Sequence, residues 1–252
     1  MKRVMLTVAY DGTAYSGYQV QSNAPTIEGE LNRCLKDLLK EEIKVIGGSR
    51  TDAGVHALCN VAVFDTQARM PGEKISYALN QRLPEDIRVR RSQEVAADFH
   101  PRHCESRKTY EYRIVNTDFP VPTKRLYTHF TYVPLDVEKM QKAAAYLVGE
   151  HDFKSFCSAG SQVESTVRTI YDLQVEKNEE DIVIRVTGNG FLYNMVRIIA
   201  GTLMEAGRGS WEPEHMAEII KAQDRGTAGP TAPACGLMLA KYEFVEKPDL
   251  IV

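Results

Sequence analysis

A carboxylate in a glycine-rich segment is the strongest sign of chemistry in this sequence. Residues 47–57 read Gly-Gly-Ser-Arg-Thr-Asp-Ala-Gly-Val-His-Ala, so that Asp52 follows Arg50 by two positions and lies among small residues. Glycine permits backbone conformations and close approaches that a side chain would block. The pattern therefore favours a loop that presents one acid to a bulky partner. An Arg–Asp pair that only braces a turn is the alternative that these residues leave open.

Alternating strands and helices are predicted to carry this loop. Apolar residues recur with strand or helix spacing, and they predict strands at 3–9, 59–64, 87–95, 110–114, 170–175, 182–186 and 237–244. The same patterns predict helices at 27–39, 75–83, 137–147, 195–203 and after Pro213. Thr26 is predicted to cap the first helix, whose apolar stripe is Ile27, Leu31, Cys34, Leu35, Leu38 and Leu39, and Gly207 is predicted to cap the fourth. The second half restates the order of the first. An α+β chain with two domains follows, 1–102 and 103–252, with the boundary near 100–107.

Four further motifs, two of them in two parts, carry a resemblance together with the Asp52 segment. They are Tyr10-Asp11-Gly12-Thr13 with Gly17-Tyr18-Gln19, Lys108-Thr109-Tyr110-Glu111-Tyr112, Gly190-Phe191-Leu192 with Met195-Val196-Arg197, and Ala232-Pro233-Ala234-Cys235-Gly236-Leu237. In this order along the chain, they resemble the motifs of the TruA family of tRNA pseudouridine synthases. The resemblance spans nearly the whole chain.

The resemblance implies a fold and a reaction. The fold would be two ferredoxin-like halves whose antiparallel sheets join around a central RNA-binding cleft, with the Asp52 loop opposite Tyr110 and Arg197. The reaction would be the isomerisation of uridine to pseudouridine at positions 38, 39 and 40 in the anticodon stem-loop of tRNAs. This isomerisation needs no redox change, and the sequence has neither a Walker loop nor a dinucleotide motif.

Four residues would form the catalytic set. The resemblance assigns the role of nucleophile to Asp52, and whether it attacks ribose C1′ or the uracil ring stays open. Arg50 and Arg197 are the candidate cations that keep Asp52 ionised. Arg50 has two alternatives, which are to displace the target base from its stack or to brace its own loop, and Arg197 has one, which is an exposed helix position. Tyr110 would stack on the flipped uracil and remove the C5 proton, unless it is a strand residue of the core.

Other residues are expected to bind the RNA or to support the loop. Lys108, Arg102 and Arg107 are candidates for phosphate contacts, because neutralising phosphates dominates affinity for nucleic acid. Leu237 would line the base pocket, with plain strand core as the alternative. Three further residues are expected to have structural roles or differ from the family pattern. Tyr112 is expected in the core and His56 as loop scaffold, and Tyr18 stands where the family usually has tryptophan. Glu111, between Tyr110 and Tyr112, is acidic, whereas a basic residue would be expected at a contact with RNA.

Composition limits the other functions. The five cysteines form no C-x-x-C pair and the six histidines are scattered, so that we expect reduced thiols, no metal site and no cofactor. No signal peptide and no long apolar stretch is apparent, which predicts a cytoplasmic protein with no membrane contact. The formal net charge of −3 requires that an RNA-binding surface concentrate its basic residues.

The expected partners are the anticodon stem-loop of tRNA and a second copy of the chain in a homodimer. Two alternatives remain at this stage. One is a related synthase with another RNA target, and the other is a non-catalytic RNA-binding module or tRNA chaperone of the same fold. The intact Arg50-Thr51-Asp52 sequence argues against the second, since a binding module has no use for a presented acid.

Overall fold

The computed structural model describes residues 1–160, 163–246 and 250. The contacts divide the chain into two units, which are residues 1–106 with 239–252 (unit 1) and residues 107–238 (unit 2). The C-terminal strand therefore returns to the N-terminal unit. The division of the chain into domains at residue 102 stays a prediction.

The first part of the chain contains the elements of unit 1 that carry Asp52. They are β1 (Lys2–Tyr10), α1 (Ile27–Leu39), β2 (Ile46–Gly47), β3 (His56–Thr66), α2 (Gly72–Leu79) and β4 (Ile87–Val95).

The remaining elements follow in chain order. They are β5 (Ser106–Asn116), β6 (His129–Thr131), α3 (Val137–Ala145), β7 (Gly149–Asp152), β8 (Val167–Asn178), β9 (Asp181–Gly188), α4 (Met195–Arg208), α5 (His215–Ala222) and β10 (Leu237–Phe244). The mixture of helices and largely antiparallel strands confirms the predicted α+β class.

Strand β1 lies in the middle of the unit 1 sheet, whose order is β4-β1-β3-β10, with the short β2 also paired to β3. It runs antiparallel to both neighbours. Its sequence alternates as a half-buried strand would, yet Val4, Met5, Leu6, Thr7 and Val8 are all buried. A central strand whose two faces are both covered buries the polar Thr7 as well.

Helix α1 forms as its sequence predicts. The Thr26 side chain accepts a hydrogen bond from the Gly29 N–H at 3.2 Å and so caps the first turn. The stripe Ile27, Leu31, Cys34 and Leu35 is buried. The helix ends at Lys40, which adopts the left-handed conformation with φ 58°.

In unit 2 the strands follow the order β5-β9-β8-β7 with antiparallel pairing, and β6 pairs with β5 in parallel. Helix α4 ends later than predicted, because Gly209 (φ 78°) is its left-handed cap. The prediction that Gly207 caps the helix is wrong. Gly207 is buried inside α4, where a Cβ would lie 2.8 Å from the Cγ of Met140, so that its role is close helix packing.

Candidate active site

The Asp52 loop connects β2 to β3, and the path of the chain into the loop depends on the absence of a side chain at Gly47. The pairing of Gly47 with Ala62 and the Gly48 N–H to Val61 carbonyl bond of 2.7 Å anchor the chain before the loop begins. A Cβ on Gly47 would overlap the ring of Tyr18. The glycine therefore allows the loop to start directly against an aromatic ring.

Asn60 fixes the first residue of the loop. This fully buried side chain donates from Nδ2 to the Ser49 carbonyl at 2.9 Å and to the Tyr10 hydroxyl at 3.0 Å. Its Oδ1 accepts from the N–H of Ser49 at 3.2 Å and of Val61 at 2.9 Å. All four hydrogen bonds that an asparagine amide can make are thus formed inside the unit.

Tyr10 continues this network to the residue before the acid. Its hydroxyl shares a 2.7 Å hydrogen bond with the Thr51 hydroxyl, and the Thr51 carbonyl accepts from the Tyr18 N–H at 3.0 Å. Burial raises the pKa of Tyr10 well above its usual value, so that the phenol stays neutral. Thr51 is therefore held through both its side chain and its backbone.

A turn closes the loop behind Asp52. The Val55 N–H donates to the Asp52 carbonyl at 3.1 Å, and the Gly54 N–H donates to the Tyr15 carbonyl at 3.2 Å. Gly54 has φ +77°, a conformation that residues with side chains rarely adopt. His56, which is 4 % exposed, accepts at Nδ1 from the Gly12 N–H at 3.1 Å, and it thus supports the loop as predicted.

The side chains that the loop presents differ from its buried frame. Asp52 is half-buried. Arg50 is exposed, and it makes no hydrogen bond or ion pair with any residue in the described ranges. The alternative in which Arg50 braces its own loop therefore has no contact to support it.

Tyr110 lies on β5 opposite Val186 of β9 and is 7 % exposed. Its ring meets Phe191 edge to face, with 5.1 Å between centroids. Lys108 and Tyr112 share its face of the strand by the alternation of side chains. Tyr112 has no exposed surface and donates its hydroxyl to the Pro233 carbonyl at 2.9 Å, which confirms its predicted place in the core.

Arg197, in the first turn of α4, is half-buried and held at two atoms. Nε donates to the Ala232 carbonyl at 2.7 Å, and Nη1 donates to Oδ1 of Asn194 at 2.8 Å. Asn194 precedes the helix in a left-handed conformation (φ 61°) and donates its own Nδ2 to the Ser158 hydroxyl at 3.0 Å. The alternative of a simply exposed helix position is thus wrong for Arg197.

The segment before β10 runs along α4 and leads to Leu237. The Ala232 N–H donates to the Arg197 carbonyl at 3.1 Å, and the Gly229 N–H donates to the Thr202 hydroxyl at 3.0 Å. At Gly201 the segment comes so close that a Cβ would overlap the Pro230 carbonyl oxygen. Leu237 follows at 5 % exposed, which suits either a pocket wall or a core position.

Comparisons with known proteins decide the family. The family model described as tRNA pseudouridine synthase matches residues 6–103 and 143–245. The chain belongs to this family.

Relatives named tRNA pseudouridine synthase A are similar over nearly the whole chain. One from Thermoanaerobacter sp. (strain X514) is 49 % identical and covers 97 % of this chain and 100 % of its own length. One from Brevibacillus brevis is 48 % identical over 95 % of this chain and 98 % of its own. The chain is therefore an isomerase of the pseudouridine synthase family, as the motifs predicted.

A solved structure titled as an archaeal box H/ACA sRNP Nop10-Cbf5 complex is also similar. It is 13 % identical, covers 92 % of this chain and 46 % of that chain, and gives a TM-score of 0.36. At that score the likeness supports no conclusion.

The family match includes Asp52, Arg50, Arg102, Arg197 and Leu237, while the tyrosine strand lies between its two ranges. In unit 1 the structure joins Asp52 and Arg50 on one loop, and Arg102 is exposed on the segment after β4. In unit 2 it joins Arg197 to the segment that leads to Leu237.

The predicted phosphate contacts on β5 have different surroundings. Lys108 is half-buried. Arg107 is exposed, and its guanidinium lies 4.8 Å from the centroid of the Tyr171 ring. That geometry keeps the charge of Arg107 at the surface and orders its side chain.

Two asparagines that position the site were missed at the sequence level. Asn60 lies inside an apolar strand pattern, and Asn194 lies between the two parts of a motif. A polar residue amid a buried strand was the available signal for Asn60, since such a group must find hydrogen-bond partners. For Asn194 the signal was its place just before a helix, where asparagine is favoured and tolerates a left-handed backbone.

The described residues show neither a cluster of metal ligands nor a helix that could span a membrane. Among residues 1–160, 163–246 and 250, no group of three or more potential metal-ligating side chains is clustered. Over the same ranges, every helix is too short or too polar to reach across a bilayer.

Proposed function

We propose that this enzyme converts uridines 38, 39 and 40 of the tRNA anticodon stem-loop to pseudouridine, with Asp52 as the nucleophile. The observation that carries the proposal is the construction of the Asp52 loop. Hydrogen bonds hold its backbone at Ser49 and Thr51, while Arg50 is exposed and Asp52 is half-buried. A fixed backbone that presents an acid is what covalent catalysis by a carboxylate needs.

The reaction breaks the bond between ribose C1′ and uracil N1 and joins C1′ to C5. In the first step Asp52 either bonds to C1′ and displaces uracil N1, or adds to the uracil ring. An Asp52–C1′ bond breaks as C5 bonds to C1′, whereas a bond from Asp52 to the ring breaks after the C1′–N1 bond has broken and the C1′–C5 bond has formed. The proton at C5 then leaves and N1 holds a proton in the product, so that atoms and electrons balance without a cofactor. Tyr110 stacks on the uracil and removes the C5 proton in this proposal.

The two arginines serve different steps. Arg197 provides a fixed positive charge, because two of its guanidinium nitrogens are held by Asn194 and Ala232. Arg50 occupies the space that the flipped uridine leaves, which suits its exposed side chain. Flipping costs a few kcal/mol of lost stacking and pairing, so that a side chain able to enter the stack lowers this cost.

RNA binding is assigned to Arg102, Arg107, Lys108 and Leu237. The first three contact phosphates, and Leu237 forms part of the wall around the base. We further propose that a homodimer in the cytoplasm is the working form, because two subunits that share one tRNA divide the phosphate contacts. This division suits a chain whose formal net charge is −3.

The test is the substitution Asp52→Asn, which keeps the shape and removes the nucleophile. Purified variant and wild-type enzyme are incubated with unmodified tRNA, and pseudouridine is mapped at each position. We expect product at 38, 39 and 40 with wild-type enzyme and none with Asp52→Asn, while tRNA affinity and the melting temperature stay close to wild type. Asp98→Asn is the control, because Asp98 is an exposed carboxylate of the same unit outside the loop.

Two outcomes would reject parts of the proposal. Turnover by Asp52→Asn near the wild-type rate would remove Asp52 from the chemistry. If pseudouridine forms only at other positions and still requires Asp52, the role of Asp52 as nucleophile stands and positions 38, 39 and 40 are rejected as targets. A tRNA-binding protein that forms no pseudouridine in wild-type form would instead fit the chaperone alternative.

A further inference from the structure

Arg168 is a half-buried cation whose position the proposed mechanism does not use. It is the second residue of β8 and pairs with His151 of the edge strand β7. Arginines that lose water normally gain a carboxylate partner, since burying an unpaired charge is costly. Arg3 follows that rule through a two-atom bridge to Asp65 at 2.7 and 2.8 Å.

Arg168 departs from the rule. Its Nη1 donates to the carbonyls of Ser165 at 2.9 Å and Val167 at 2.6 Å. Its Nε and Nη2 make no hydrogen bond to the described residues, and none of the carboxylates in those ranges forms an ion pair with it. Burial consequently lowers the pKa of Arg168, whereas the Asp65 hydrogen bond raises the pKa of Arg3.

The side chain lies beside the loop that supports Tyr110. A Cβ built on Gly190 would be 3.7 Å from Nε of Arg168, an ordinary contact distance, so that the guanidinium lies directly beside this glycine. The next residue, Phe191, holds Tyr110 edge to face. Arg168 therefore borders the segment that positions the proposed stacking residue.

An aromatic residue farther along the same strand holds a second basic group, Arg107 of β5. Tyr171 stands where the β8–β9 register shifts between Ile170 and Asp172, and an extra residue of this kind redirects a side chain. Its ring carries the exposed guanidinium of Arg107. Strand β8 thus adds an arginine and an aromatic platform to the surface around residues 188–191.

We infer that Arg168 binds a phosphate of the RNA backbone next to the target uridine. A phosphate oxygen supplies the anionic acceptors that Nε and Nη2 match, and these two donors form the fork suited to a phosphate. The inference rests on the proposed function for the identity of the RNA, and on the unit 2 geometry for the site itself.

The competing explanation is that Arg168 only braces the turn at 165–167. It predicts lower thermal stability on substitution but no change in how affinity depends on salt. Arg185 offers a matched control, because this half-buried arginine of the neighbouring strand β9 is already paired with Glu111 at 3.2 Å and with Glu176 at 3.5 Å.

The experiment measures the binding of an anticodon stem-loop RNA to full-length enzyme over a range of KCl concentrations. The proteins are wild type, Arg168→Gln, Arg168→Lys and Arg185→Gln. We expect Arg168→Gln to weaken binding about tenfold and to reduce the slope of log affinity against log salt by about 0.7 to 0.9. Arg168→Lys should keep most of the slope, and Arg185→Gln should keep the wild-type slope.

Single methylphosphonate linkages in the RNA then locate the phosphate. One neutral linkage near the target should weaken the binding of wild-type enzyme but not that of Arg168→Gln. The variant already lacks the contact between Arg168 and the phosphate that this linkage removes. An unchanged salt slope in a folded Arg168→Gln protein, or equal sensitivity of both proteins at every linkage, would overturn the inference. Failure of the proposed function would appear separately, as absence of pseudouridine at positions 38–40 with wild-type enzyme.

Discussion

The Asp52 loop and the start of α4 each present a candidate catalytic cation, and they hold it in opposite ways. In the loop, Asn60 holds the Ser49 backbone and Tyr10 holds the Thr51 hydroxyl on either side of Arg50, whose side chain stays exposed. At the start of α4, the hydrogen bonds reach the guanidinium of Arg197 itself.

The difference indicates which job each arginine can perform. A long side chain that is not held keeps about 2 kcal/mol of rotamer entropy and can adapt to a moving base. A guanidinium that is already oriented stabilises charge without reorganising during the reaction. The loop therefore supports an adaptable Arg50, and the helix supports a preorganised Arg197.

Breaking the frame of the loop should have the largest effect. Asn60→Ala removes four hydrogen bonds in the core, two of them to the Ser49 backbone, and leaves the Tyr10 hydroxyl with Thr51 alone. We expect a loss of about 3 kcal/mol in the free energy of unfolding. The rate at saturating tRNA should also fall strongly, because the backbone that presents Asp52 is released. Urea denaturation and single-turnover kinetics measure the two effects.

Asn80→Ala is the matched control for that variant. Asn80 forms two 2.8 Å hydrogen bonds with the backbone of Val89, and neither bond involves a residue of the Asp52 loop. Its loss should cost about 1 to 2 kcal/mol of stability with an unchanged rate where the protein is folded. Equal rate losses in the two variants would show that reduced stability, and not the loop frame, explains the effect of Asn60→Ala.

Conservative changes at the two arginines should separate their roles. Arg197→Lys keeps a charge but cannot reproduce the fork that reaches Asn194 and Ala232, and we expect about a hundredfold lower kcat with little change in KM. Arg50→Lys should leave stability within about 0.5 kcal/mol and reduce the rate less than tenfold. Steady-state kinetics on tRNA checks both. Similar losses at the two positions would contradict the distinction between a held and an adaptable cation.

Modest effects should come from two buried tyrosines beside the loop. Tyr10→Phe loses the bonds to Thr51 and Asn60 and should cost about 1 to 2 kcal/mol. Tyr18→Phe should be neutral or slightly stabilising, because the buried Tyr18 hydroxyl has no hydrogen-bond partner among the described residues. Thermal melts distinguish the two variants. A larger loss of stability for Tyr18→Phe than for Tyr10→Phe would show that the hydroxyl of Tyr18, and not that of Tyr10, holds the loop.

Tyr18 also shows what a family motif leaves undecided. It stands at the motif position where the family usually has tryptophan. The ring is 2 % exposed, lies against Gly47 and is tilted towards Tyr10 at 6.3 Å between centroids. The aromatic ring at this position packs against the start of the loop. Replacing tryptophan by tyrosine here therefore changes the packing of the loop.

The sequence by itself determined the elements whose signals are local. The apolar stripe of α1 and its Thr26 cap lie within one short segment, and both are present as predicted. The short strands β2, β6 and β7 were not predicted, because two to four residues carry too little pattern and form only beside a partner strand. The same limit explains Gly207, whose packing partner Met140 lies in another helix.

The sequence likewise determined the family and the presented acid, since the order of residues around Asp52 is itself the signal. Only the tertiary structure decided how the side chains are held. Asn60 meets Ser49 eleven positions away, and Arg197 meets Ala232 thirty-five positions away. The hydrogen bonds of a buried polar group depend on what the fold brings beside it, and a linear pattern does not record those neighbours.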